Sequence, residues 1–150
     1  PFLHVRYRAS QADDRRMKSW LTGSVGGAAT SSLDGRLDLE EAKRIVAIAR
    51  NNNIDMLDTA VDYGDSEKRL GEIGVQEFKI ITKLPSVSNQ RNVTKWVHNQ
   101  IDSSLSKLMV QSLYGLLLHH PQDLFEKNGE KLWRSLEALK NEGLINESLD

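Results

Sequence analysis

Four polar side chains stand where apolar runs of this sequence end, in the order aspartate, tyrosine, lysine, histidine. Asp58 closes the run "IDML", and Tyr63 follows it within the glycine turn "DYGDSE". Lys83 closes "KIIT", and His119 closes "SLYGLLL". If side chains of these types met, they could protonate a carbonyl oxygen while negative charge develops on it.

The chemistry of each group defines its part in such a site. A tyrosine hydroxyl is a weak acid, and a lysine ammonium beside it favours the phenolate and makes the proton easier to give up. A carboxylate beside the lysine would hold the ammonium charged and oriented, while a histidine could hydrogen-bond to a substrate oxygen. None of these groups supplies a hydride, so a reduction at this site needs a nicotinamide cofactor.

Hydrophobic spacing predicts the elements that must position these residues. Helices are predicted over 38–50, 66–70, 93–108 and 132–139, and strands over 20–24, 54–58, 78–84 and 112–120, with a further strand beginning at 144. Three details accompany them. Ser66 is predicted as a helix N-cap, Trp133 as a core residue, and Gly143 as the residue that follows the end of the last helix.

The alternation of strand and helix predicts an α/β fold of parallel βα units. Such units build either an open doubly wound sheet or a (β/α)8 barrel. In both architectures the loops after the carboxyl ends of the strands carry the chemistry. The four polar residues fall at those strand ends or in the loops that follow them.

Composition narrows the class of protein. The chain has 150 residues, a formal net charge of −1 and 27% charged residues, which points away from nucleic-acid and anionic-membrane partners. It has no cysteine, which excludes thiol catalysis and fits a reducing cytoplasm. No close-spaced ligand pair such as His-x-x-x-His predicts a metal site. We expect a soluble, cytoplasmic protein without a secretory signal or a membrane span.

Several motifs in register carry a resemblance. "LDTAVDYGDSEKRLG" resembles the aldo-keto reductase signature of Asp-Thr-Ala, two residues, Tyr-Gly, one residue, Ser-Glu, two residues and Leu-Gly. "ITKLP", "SLSKLMVQSLYGLLLHHP" and "LWRSLEALKNEGLI" are similar to the family's segments around strand three, strand four and the helix before strand five. The resemblance runs from about Asp38 to Ile145.

The resemblance implies an NADPH-dependent reductase of small carbonyl substrates. By position, Tyr63 would be the proton donor, Lys83 would make that proton easier to give up, and Asp58 would pair with Lys83 and contact the cofactor. His119 would orient the carbonyl, and His120 would form a substrate-pocket wall.

The resemblance also implies a partial barrel. Family members are (β/α)8 barrels of about 250 residues, and this chain covers about four βα units, ending before strand five. We therefore divide it into an N-terminal extension over 1–17 and a half-barrel domain over 18–150. The other half would supply most cofactor contacts, so activity is expected to be lost in this chain alone. The fourth strand would present an open edge, through which the chain is expected to form a homo-oligomer.

Two other functions stay open. The chain could be a non-catalytic remnant that serves as an assembly or binding module through the exposed half-barrel face. It could also be a different (β/α) enzyme, an isomerase or lyase, that uses Lys83 as a Schiff-base amine.

Overall fold

The computed structural model describes residues 4–6 and 39–148 of the chain. Its helices are α1 (Leu39–Asn51), α2 (Ser66–Ile73), α3 (Val93–Leu108) and α4 (Gly129–Asn141), with a 3₁₀ helix over Pro121–Phe125. Its strands are β1 (His4–Arg6), β2 (Met56–Asp58), β3 (Lys79–Leu84), β4 (Leu113–Leu118) and β5 (Ile145–Ser148). The described strands form one sheet in the order β1-β2-β3-β4-β5, parallel from β2 to β5, with β1 antiparallel to β2.

The four helices lie on one side of the parallel strands. Consecutive helices contact each other in chain order, and their buried side chains join those of the strands in one hydrophobic cluster. A doubly wound sheet reverses its strand order and covers both faces, whereas a barrel keeps the order and places the helices outside. The described part of the chain therefore has the winding of a partial (β/α)8 barrel.

The pleat of β3 separates the core from the site. Ile80 and Leu84 belong to the helix-facing cluster, and Thr82 hydrogen-bonds to Glu67 of α2 at 2.8 Å. Because alternate strand residues face opposite sides, Lys83 lies on the face away from the helices. That face is the inside of a barrel.

Helix α2 begins differently from its sequence prediction. Its N-cap is Asp65, whose side chain makes no capping hydrogen bond, so the prediction of Ser66 as the N-cap is wrong. The Oγ of Ser66 instead lies 3.0 Å from Oγ1 of Thr59. The first turn of α2 is thus tied by side chains to the sheet, with no side-chain cap at Asp65.

Helix α2 also packs closely against α3. A Cβ added to Gly71 would lie 2.0 Å from the carbonyl oxygen of Lys107. Only glycine allows the two backbones to approach this far without a shift. The close approach sets the spacing between α2 and α3, its neighbour in the helical layer.

Helix α4 confirms one prediction and corrects another. Gly143 follows the C-cap residue Glu142 and has a φ of +73°, the left-handed geometry expected of a residue just past a helix end. The core assignment of Trp133 is wrong, because its side chain is 41% exposed. It lies about 100° around the helix from the fully buried Leu132, which takes the core position instead.

The open edge of the sheet differs from the one expected. Ile145–Ser148 forms β5 and pairs in parallel with β4, so neither the expected end before strand five nor the expected open edge at β4 is found. Strand β5 is the last strand in the order of the described sheet and forms one of its two edges. Strand β1 lies within the predicted extension over 1–17, and the strand predicted over 20–24 lies outside the described residues. The division at residue 17 stays a prediction.

The helices of the described residues are short and amphipathic. Within residues 39–148, none combines the length and the apolar character that crossing a bilayer requires.

Candidate active site

Lys83 is one of the four residues predicted to form the site, together with Asp58, Tyr63 and His119. Its Nζ forms an ion pair with Oδ1 of Asp58 and donates a hydrogen bond of 2.9 Å to the carbonyl oxygen of Thr59. The Asp58 side chain is 1% exposed and that of Lys83 14%. The ammonium is therefore held in place by two oxygen acceptors at the edge of the barrel interior.

Strand geometry brings these two residues together. Asp58 is the last residue of β2 and pairs with Ile81 of β3 in the parallel register. Ile81 is two residues before Lys83, so the side chains of Asp58 and Lys83 lie on the same face of the sheet. The backbone continues the pairing past the end of β2, because the amide of Thr59 donates to the carbonyl of Ile81 at 2.8 Å. Both side chains thus emerge at the carboxyl rim of the sheet.

A tight turn presents Tyr63 to this pair. The Tyr63 amide donates to the carbonyl of Ala60, and the Ser66 amide donates to the carbonyl of Tyr63, each at 3.1 Å. Gly64, between them, has a φ of +57° that suits glycine. The turn places the half-buried Tyr63 ring with its centroid 5.3 Å from Nζ of Lys83.

Two side-chain contacts anchor the helix that follows the turn. Ser66 meets Thr59, as described above, and the buried carboxylate of Glu67 accepts from the hydroxyl of Thr82. Thr59 neighbours Asp58 in the chain, and Thr82 neighbours Lys83. The first turn of α2 is therefore fixed to both strands that carry the ion pair.

His119 comes directly after β4 and faces the tyrosine. Its amide donates to the carbonyl of Leu84 at 2.9 Å, which keeps the residue at the rim beside Lys83. The rings of His119 and Tyr63 have centroids 5.7 Å apart, tilted by 54°. The structure thus brings together Asp58, Lys83, Tyr63 and His119, and the roles assigned to them stay predictions.

His120 lies at the outer border of this cluster. Its ring centroid is 6.5 Å from that of His119, its side chain is exposed, and its Nδ1 lies 3.1 Å from Nε2 of Gln122. This location is compatible with the predicted pocket wall, which stays a prediction.

The loop after β3 is braced from the segment that follows β4. The carboxylate of the buried Asp123 accepts hydrogen bonds from the Ser86 hydroxyl at 2.8 Å and from the Val87 amide at 2.7 Å. The Asn128 amide group donates to the carbonyls of Val87 and Gln90. These contacts fix the rim of the site at its third and fourth strands.

Sequence reasoning missed two participants. The carbonyl of Thr59 is the second acceptor for Lys83, and backbone carbonyls leave no side-chain signal in a sequence. The carboxylate of Asp62 lies 3.3 Å from Nδ1 of His119. An acidic residue directly before the tyrosine of the signature was a visible sign of it.

Comparison with known proteins identifies the family. A profile described as "Aldo/keto reductase family" matches residues 24–148. No curated protein matches the chain by sequence. Among solved structures, a protein of Pseudomonas aeruginosa assigned to the aldo-keto reductases is 29% identical, with a TM-score of 0.64, and the match covers 77% of this chain and 49% of that one.

Two more distant structures share the fold. The holo form of the aldo-keto reductase AKR11C1 from Bacillus halodurans is 22% identical, with a TM-score of 0.62, over 74% of this chain and 41% of that one. Aldose reductase from Giardia lamblia is 20% identical, with a TM-score of 0.59, over 74% and 45% of the two chains.

Length separates this chain from the structures it resembles. It spans about half the length of the first solved structures that it matches. The matched segment includes the signature turn, the rim residues and the strands β2 to β5, which all lie within the span of the family profile. The chain belongs to the aldo-keto reductase family.

Proposed function

We propose that this chain carries the proton-donating half of an NADPH-dependent reductase that converts a small aldehyde or ketone to an alcohol. One observation supports this most directly. The Lys83 ammonium pairs with the buried carboxylate of Asp58 and lies 5.3 Å from the centroid of the Tyr63 ring, and the centroid of the His119 ring lies 5.7 Å from that of Tyr63. A phenol beside an ammonium and an imidazole supports the proposal, because such groups suit protonation of a carbonyl oxygen.

Each residue has a defined task in this proposal. Tyr63 donates its phenolic proton to the carbonyl oxygen, and the ammonium of Lys83 stabilises the negative charge that the phenol oxygen then carries. Asp58 and the Thr59 carbonyl fix the position of the ammonium, and His119 orients the carbonyl group of the substrate. The anchors of α2 to the sheet hold the Tyr63 turn in place, so that the donor needs little reorganisation during the reaction.

The residues present fit the reacting end of a nicotinamide. The cluster contains acids, cations and hydrogen-bond donors but no group that can transfer a hydride. Bound NADPH would supply the hydride to the carbonyl carbon. We propose contact of the cofactor with the rim at Asp58, as the family resemblance implies. The choice of NADPH over NADH is part of the same proposal.

The Schiff-base alternative fits the site less well. A nucleophilic lysine must be a neutral amine, which requires desolvation or a neighbouring cation. Lys83 instead contacts a carboxylate and a carbonyl oxygen, and neither of them is a neighbouring cation.

Cofactor binding and turnover test the proposed function. In the self-associated form proposed below, titration with NADPH is expected to quench the tryptophan fluorescence of the chain, and NADPH is expected to be consumed only when an aldehyde or ketone from a small panel is added. Product analysis should find the corresponding alcohol. A chain that neither binds NADPH nor reduces any of these carbonyls, in any assembly state, would contradict the proposal.

We further propose that the chain self-associates to complete its sheet. It spans about half the length of the related structures, and β5 is the last strand of the described sheet. An open edge offers unpaired backbone groups to another strand. This homo-oligomer is also the form in which the alternative function, a non-catalytic assembly module, would operate.

Sedimentation velocity tests the assembly. We expect a dimer or a larger oligomer for the unmodified chain, and weaker association for Asn146→Lys, because a lysine on β5 disfavours edge pairing. Asn141→Lys, at the exposed end of α4, is the matched control and should associate normally. A folded monomer at all concentrations, or equal association of both variants, would refute the edge contact.

Cellular context completes the proposal. A chain without cysteine and with a formal net charge of −1 suits the reducing cytoplasm, with a small carbonyl compound as partner and neither nucleic acid nor membrane.

A further inference from the structure

Asp62 contacts the histidine of the site from the signature turn. It occupies one of the two positions that the family signature leaves unspecified, directly before Tyr63. Its Oδ2 lies 3.3 Å from Nδ1 of His119, a residue 57 positions away. The Asp62 side chain is 55% exposed and that of His119 22%, so the contact lies at the mouth of the cluster.

The backbone around Asp62 is fixed on both sides. The amide of the preceding residue, Val61, donates to the carbonyl of Lys83 at 3.2 Å, and Tyr63 is held by the hydrogen bonds of its own turn. The main chain therefore holds Asp62 at the rim, where its carboxylate reaches the residue that follows β4. The contact follows from the same turn that presents the proton donor.

A carboxylate next to one ring nitrogen determines where a histidine keeps its proton. An ionised carboxylate only accepts hydrogen bonds, so the nitrogen facing it must carry the hydrogen. In the neutral ring the other nitrogen then has a lone pair and can only accept. It gains an N–H only when the ring is doubly protonated.

We propose that Asp62 is a positioning residue that selects the Nδ1–H tautomer of His119. Neutral His119 then presents Nε2 as an acceptor, for example to a hydroxyl group. It donates a hydrogen bond from Nε2 to a carbonyl oxygen only as an imidazolium, whose charge Asp62 offsets. The site thus has two separate carboxylate contacts near Tyr63, Asp58 with Lys83 and Asp62 with His119.

The meaning for catalysis rests on the proposed function, but the tautomer itself does not. If carbonyls are reduced here, the Nδ1–H tautomer of His119 cannot donate a hydrogen bond from Nε2 to the substrate oxygen, and Tyr63 remains the proton donor of the proposal. This differs from a histidine that donates from Nε2 as a neutral ring. The tautomer can be measured without cofactor or substrate.

Nitrogen NMR of the full chain tests the inference. Long-range proton–nitrogen spectra of the ¹⁵N-labelled protein distinguish the protonated from the bare ring nitrogen. They would be recorded at about pH 8.5, about two units above an ordinary histidine pKa. The His119→Gln variant assigns the His119 signals. In the unmodified chain, we expect the protonated signal at Nδ1 and the bare signal at Nε2.

Two substitutions provide the comparison. Asp62→Val removes the acceptor and is expected to move the proton to Nε2, the tautomer that an unconstrained imidazole favours in water. Asp65→Val removes a carboxylate from the same turn that makes no side-chain cap bond, and it should leave the His119 signals unchanged.

Clear outcomes overturn the inference. A protonated Nε2 and a bare Nδ1 in the unmodified chain would refute it, even if a variant failed to fold. An unchanged tautomer in folded Asp62→Val would refute it as well. A chain with the Nδ1–H tautomer that binds no NADPH would contradict the proposed function while supporting this inference, so the two fail separately.

Discussion

Lys83→Met is expected to lower the free energy of unfolding by about 3–5 kcal/mol, the cost of leaving a buried charge without its partner. Methionine matches the length of the lysine stem but cannot neutralise Asp58, whose side chain is 1% exposed. The Thr59 carbonyl also loses its donor. Urea unfolding followed by circular dichroism measures the change.

Lys79→Met is the matched control, because it is the same substitution on the same strand. Lys79 forms an ion pair of 2.7 Å with Asp55, but both side chains are 46% exposed. Exposed pairs contribute about 0–1 kcal/mol, so we expect a small change. If both variants lost the same free energy of unfolding, burial of the Lys83–Asp58 pair would not make the loss of its cation more destabilising.

A double variant separates the effect of the uncompensated Asp58 charge from the effect of lost packing. Adding Asp58→Asn to Lys83→Met replaces the stranded carboxylate with a neutral amide, which should recover part of the lost stability. If the double variant is less stable than Lys83→Met alone, the loss comes from packing and not from the uncompensated charge.

Tyr63→Phe is expected to reduce the rate of carbonyl reduction by about 10²–10⁴-fold, the usual contribution of a positioned general acid. Phenylalanine keeps the ring near Lys83 and His119 and removes only the hydroxyl. Steady-state kinetics should show the loss in kcat, with NADPH affinity and the free energy of unfolding close to those of the unmodified chain.

Tyr114→Phe is the control for this substitution. Tyr114, on β4, is also half-buried and also lies near a lysine, with Nζ of Lys79 5.6 Å from its ring centroid. It is away from the proposed site, so the rate should not change. Comparable rates for Tyr63→Phe and the unmodified chain would remove Tyr63 from the role of proton donor.

The two experiments examine different consequences of one arrangement. The Lys83 variants measure how much the buried ion pair contributes to the free energy of unfolding. The Tyr63 and Tyr114 variants measure how much the Tyr63 hydroxyl contributes to the rate of carbonyl reduction. Both depend on the carboxyl rim, where β2 and β3 end side by side and the turn after β2 is anchored to the sheet. A functional group placed at such a rim is supported by the rigid strands beneath it.

The sequence alone determined the alternation of elements and the residues of the signature. Helix α3 extends over the predicted residues 93–108, since its apolar face repeats at helical spacing across its whole length. Gly143 was also predictable, because a left-handed residue past a helix end favours glycine. The residue types and their order identified Asp58, Tyr63, Lys83 and His119 as candidates before any contact between them was known.

Other features were decided only in three dimensions. Trp133 has the local environment of a core residue in the sequence, yet the exact phase of α4 turns it outward and buries Leu132. Ser66 has the side chain of an N-cap, but the neighbouring sheet offers Thr59 as a partner. Strand β5 forms because β4 presents an edge to it.

The contacts of the site belong to this second group. Lys83 meets the Thr59 carbonyl, and Asp62 meets His119 across 57 positions of the chain. A sequence pattern records which side chains alternate or recur within one element, since periodicity is a local property of the backbone. Which acceptor faces which donor depends on how separate elements are placed, and packing of the helices on the sheet sets that placement.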